Sequence, residues 1–218
     1  MQLRYNFFSN IKNQIIRILP TILIGIALSL GGAVVTVYVA NLTGNPIWKL
    51  AKDPAEVVVF PPYIGLLSNW SALLWMSTAA ICLFTSLVLK KNKMHFREYF
   101  FLFISGILSF VLAVDDLFLF HDRLLPSLLH IPEFFFYGLY ILVLGIYLII
   151  FWRKILQYDW ILFVIAFILL GMSRKIINPV PIIHEFMTTN DMLKYFGIVY
   201  WLAFFYRVSA DELAERFK

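Results

Sequence analysis

Charge is scarce in this chain: only 14% of its 218 residues are Asp, Glu, Lys or Arg, against about 25% in an ordinary globular domain. So few charges cannot cover a water-facing surface. A 61% hydrophobic content and a mean hydropathy of +0.83 therefore call for lipid as the main solvent. Cysteine is nearly absent. Cys82 stands alone inside an apolar run, which excludes an intrachain disulfide, a multi-cysteine zinc site and a Cys-ligated iron–sulfur cluster. Neither His-Glu-x-x-His nor His-x-x-x-His occurs, and there is no internal repeat or low-complexity segment. A continuous basic face is missing too: the Lys and Arg residues behind the net charge of +5 sit in short connections between apolar runs. That placement excludes nucleic acid as a partner and reads as membrane orientation.

What is there is a series of long apolar segments. A span needs about 20 mostly apolar residues, because the hydrocarbon core is about 30 Å thick and a helix rises about 1.5 Å per residue. Residues 18–40 and 66–89 meet this without a charge, and 134–152 comes close. Residues 99–120 reach the length only by running on through Asp115 and Asp116, and 158–177 and 192–207 only by including Arg174, Lys175 and Lys194. Lys and Arg can snorkel from such positions to the interface. The expected fold is thus all-α, one transmembrane helix bundle over 1–218 with about six spans. The first apolar run exceeds the 7–15 residues of a cleaved leader and reads as a retained anchor. Residues 41–65, with Pro54, Pro61 and Pro62, read as a folded extramembrane loop.

Six spans put both termini and the connections near 90–98 and 153–159 on one side, together with 12 of the 18 Lys and Arg residues. The positive-inside rule makes that side cytoplasmic, an N-in, C-in arrangement suited to a bacterial inner membrane. Eight of the 13 acids and three of the four histidines fall on the other side.

The densest polar segment there is Asp115-Asp116-Leu-Phe-Leu-Phe-His121-Asp122-Arg123, at the outer end of the third span. On a continuous helix Ser109, Asp116 and Arg123 share a face, and Asp115 and Asp122 a neighbouring one. A lipid-facing carboxylate is costly, so Asp116 should turn inward to a cation, with Arg174 and Lys175 at the same depth. Glu133 should open the fourth span and Asp191 the sixth, the latter after an N-cap from Thr188, Thr189 or Asn190. Carboxylates with imidazoles suit a divalent metal: zinc, manganese or, from the acids alone, calcium. Asp116, His121 and His184 are the metal-ligand candidates, Asp115 or Glu133 the base for a bound water, and Arg174 the residue to steady a substrate anion. Asp116 and His121 lie about 140° apart on a regular helix, so only an unwound turn or another loop lets both reach one ion.

The run Asp115-Asp116-x4-His121-Asp122, followed by Pro126 and Glu133, resembles a motif of uncharacterised bacterial polytopic membrane proteins, and the segment 191–201 resembles their later part. The resemblance implies a membrane bundle and brings no activity with it. Membrane metallohydrolases of the CREST group share intramembrane Ser, Asp and His, but their late His-x-x-x-His pair is missing here. Three functions fit the sequence: a metal-assisted membrane hydrolase, an ion or proton channel or transporter subunit, and a structural subunit held by an ion-pair clamp. Beyond the lipid bilayer, a second copy or a membrane-complex subunit is the partner class implied.

Overall fold

A computed structural model describes residues 2–52, 54–59, 61, 63–92, 96–173 and 184–214, and among them every regular element is helical. The order is α1 (Gln2–Thr43), α2 (Ile47–Ala51), α3 (Pro54–Val58), α4 (Leu66–Lys91), α5 (Phe96–Phe118), a π turn (Phe120–Leu124), α6 (Leu125–Leu129), α7 (Glu133–Ile155), α8 (Trp160–Met172) and α9 (His184–Ala214). Three of these, α4, α5 and the segment Phe134–Ile155 of α7, are long and apolar enough to cross a membrane.

The chain divides into two compact units, residues 1–64 and 65–218. In the first, α1 runs for 42 residues and carries Pro20 inside it. The loop expected at 41–65 carries α2 and α3, bounded by Gly44 and Gly65 at φ of 66° and 79°, a left-handed backbone that glycine adopts without a Cβ clash.

In the second unit α4 lies along α5 and α9, and α8 along α9. Two glycines permit this closeness. A Cβ at Gly106 would stand 2.7 Å from Leu83 Cγ, and one at Gly197 would stand 2.8 Å from Leu170 Cγ. Small residues at crossings let helix backbones approach in lipid, where apolar burial alone gives no preference for protein over solvent. The core is aromatic, with Trp201 packed on Trp75, Phe163 and Phe205. Hydrogen bonds between helices supplement it. Ser86 Oγ donates to the Tyr99 carbonyl at 2.9 Å, and Trp201 Nε1 donates to Ser109 Oγ at 3.0 Å. Ser105 gives its hydrogen to the Phe101 carbonyl, so Tyr147, 2.7 Å away, donates to Ser105. Toward the C-terminal ends of α7 and α9, buried Glu212 accepts from Lys154 and Tyr158, and Arg207 pairs with Asp159.

Two element boundaries differ from the sequence reading in ways that matter. The helix expected over 99–120 ends at Phe118, so the Ser109–Asp116–Arg123 stripe does not continue as one face. The helix expected over 192–207 begins at His184 and runs to Ala214, so Thr188, Thr189 and Asn190 lie inside it rather than ahead of it. Their helix-neutral propensities yield to the strong formers around them. For 158–177 the described helix is α8, and residues 174–183 lie outside the described part.

Candidate functional site

The last turn of α5 carries Asp115 and Asp116, and then the helix breaks. Leu119 has a left-handed backbone, φ 51° and ψ 43°, which costs a non-glycine residue about 1–2 kcal/mol. The five residues after it form a π turn, a feature frequent at functional sites. On an unbroken helix Asp115 and His121 would point about 120° apart. The break returns His121 onto Asp115: its backbone N–H donates to Oδ1 at 3.0 Å, and its Nδ1 lies 2.5 Å from Oδ2. An ionised carboxylate only accepts, so Nδ1 carries the proton and chemistry at the ring falls to Nε2. An unwound turn, the condition for Asp116 and His121 to share an ion, is present, but the residue it brings His121 to is Asp115.

Both groups are buried, Asp115 at 5% and His121 at 4% exposed. Tyr140 reaches the Asp115 carboxylate. Tyr137 and Tyr140 also meet the imidazole edge-on, with centroids 5.5 and 5.6 Å from it, so α7 fixes the ring plane. The next residue after Asp115, Asp116, is 6% exposed and pairs through Oδ1 with Lys194 of α9. Its Oδ2 is buried and finds no hydrogen-bond partner among the described residues.

These groups border a cavity of about 490 Å³ between α5, α7, α8 and α9. Asp115, Asp116, His121, Lys194 and Ser173 give it a polar end, whereas Leu112, Leu144, Leu148, Phe167 and Leu170 make the remaining wall apolar, with Trp75 and Trp201 beside them. The volume is that of an ordinary small-molecule site.

Of the residues singled out from the sequence, Asp115, Asp116 and His121 come together. Glu133 does open α7, and His184 opens α9; the side chains of both lie outside the described part, as do Arg174 and Lys175 entirely. Among the described residues the cation that pairs with Asp116 is Lys194 of α9. Among the described residues no group of three His, Cys, Asp or Glu side chains converges as a metal site does. The sequence reading also passed over Tyr137 and Tyr140. Their spacing of three, just inside α7, places both on the face toward the acidic run and was the available signal.

No curated protein and no solved structure matches the chain. The model of the DUF8692 family, a domain of unknown function, matches residues 27–208, and the chain belongs to that family.

Proposed function

We propose that this protein is a membrane-embedded hydrolase in which His121 is the general base and Asp115 its positioning residue. The observation that carries the reading is the Asp115–His121 hydrogen-bonded pair set at the polar end of an otherwise apolar cavity. In this reading His121 Nε2 takes a proton from water while the water oxygen attacks the carbonyl carbon of an ester or amide. The imidazolium then returns the proton to the departing alcohol or amine as the carbon–heteroatom bond breaks. Lys194 gives one of its three N–H groups to Asp116, and in this reading another meets the developing oxyanion. An ion-pair clamp alone would use Asp116 and Lys194 but would need neither the His121 pair nor the cavity.

A divalent-metal version draws on the same geometry. Metal-bound histidines commonly give their other N–H to a carboxylate, as His121 does to Asp115. In that version His121, Asp116 and His184 hold the ion, which would lower the pKa of a bound water. A six-span, N-in, C-in placement in a bacterial inner membrane belongs to the proposal as well; it rests on the Lys and Arg bias.

The test is hydrolysis by the purified protein in nanodiscs, offered a panel of ester- and amide-linked lipids with and without zinc or manganese, and followed by mass spectrometry. His121→Gln should lower the rate about 10²–10⁴-fold. Absence of any released acid, or an unchanged rate in His121→Gln, would overturn the proposal.

A further inference from the structure

Two helix glycines border the cavity without a close neighbour of their own. Gly145 of α7 and Gly171 of α8 both line the cavity, and an added Cβ would find nothing within 4 Å at either. At Gly106 and Gly197, by contrast, a neighbouring leucine fills that space. Glycine weakens a helix interior, and at these two positions the missing side chain leaves room on the cavity wall. The volume lies beyond the polar end, where Leu144, Leu148, Phe167 and Leu170 offer contacts suited to hydrocarbon. At the polar end the buried Oδ2 of Asp116 finds no hydrogen-bond partner among the described residues, and such an atom is rare unless something further completes it.

We propose that the cavity takes the single hydrocarbon chain of a long-chain amphiphile drawn from the bilayer, and that Gly145 and Gly171 are specificity-determining positions that hold its space open. The head, at the level of Asp116, Lys194 and His121, is a small group bearing an O–H or N–H donor, as in a monoacylglycerol or a long-chain amino alcohol. An anionic head fits less well, because Asp116 already neutralises Lys194 and Asp115 adds a second carboxylate. The inference shares its cavity with the hydrolase reading and names that enzyme's substrate class, but it is tested by binding, without turnover.

The probe is a C16 monoacylglycerol with a photoreactive diazirine in mid-chain, added to the full-length protein in nanodiscs and mapped by mass spectrometry. Saturable labelling of the 144–148 and 167–171 segments is expected, competed by unlabelled C16 monoacylglycerol but not by a C4 analogue. A leucine at either glycine displaces about two methylenes of chain, each worth about fourfold in affinity, so Gly145→Leu and Gly171→Leu should weaken labelling about fifteenfold. Gly138→Leu, on the same helix with open space of its own but outside the cavity, should label as wild type does. Labelling that does not saturate, or equal labelling in all three variants, would overturn the inference, as would competition by the C4 analogue. If a variant fails to fold, the chain-length competition on the wild type decides alone. Labelling without hydrolysis would sink the hydrolase reading and leave this one standing.

Discussion

Lys194→Met strands a carboxylate. Asp116 is 6% exposed and its described cationic partner is Lys194, whose own side chain is 30% exposed. The two partners are therefore unequal. Without Lys194, Asp116 is left as an uncompensated charge in a poorly solvated place. Removing one partner of a buried pair typically costs about 3–5 kcal/mol, and a loss of that size is expected. Asp116→Asn is milder, about 1–2 kcal/mol, because the Lys194 stem can carry its ammonium toward water. Asp116→Leu combined with Lys194→Met should recover most of the loss, since apolar replacement of a whole buried pair is often close to neutral. The assay is thermal unfolding in detergent, at about 2–4 °C per kcal/mol for a chain of this size. Lys194→Met should melt about 10 °C below wild type, Asp116→Asn roughly 5 °C below, and the double variant near wild type. Equal effects of the two single changes, or a double variant that melts lowest, would refute the reasoning.

Further predictions come from the packing. Gly106→Ala and Gly197→Ala drive a methyl against Leu83 and Leu170 and should each destabilise by about 1–3 kcal/mol, whereas Gly145→Ala and Gly171→Ala should stabilise by about 0.5–1 kcal/mol through helix propensity alone; thermal melts separate the two pairs. Trp201→Phe removes the indole N–H bonded to fully buried Ser109 and should cost about 1–3 kcal/mol. Cys82 is fully buried, so maleimide should label it only on unfolding, and labelling of the native protein would contradict the packing of α4.

Much of this fold is written in the sequence because lipid imposes a simple length rule. The uncharged run 66–89 is α4 and the run 134–152 is the body of α7, and Glu133 starts its helix where an acid meets the positive end of the dipole. The inward turn of Asp116 follows from the cost of a carboxylate in hydrocarbon. Its partner was legible in principle: Ser109 meets Trp201 and Asp116 meets Lys194, seven residues forward on α5 matching seven residues back on α9. One sequence without a pairing map does not show which two heptads face each other. The break after Phe118 was not legible. It turns on a left-handed Leu119 in a Phe-Leu-Phe run with no glycine or asparagine to announce it, so tertiary contacts around His121 overrule local preference. The cavity is likewise a property of the packing, and only its two glycines leave a trace in the sequence.

The central claim is that Asp115 holds His121 as the Nδ1–H tautomer with Nε2 as the base. Nitrogen-15 NMR of histidine-labelled protein in nanodiscs at neutral pH tests it, with His121 assigned by its loss in His121→Gln. A protonated, hydrogen-bonded Nδ1 and an unprotonated Nε2 are expected, a pattern that Asp115→Leu should abolish. An Nε2–H tautomer in the wild type, or a spectrum unchanged by Asp115→Leu, would contradict it.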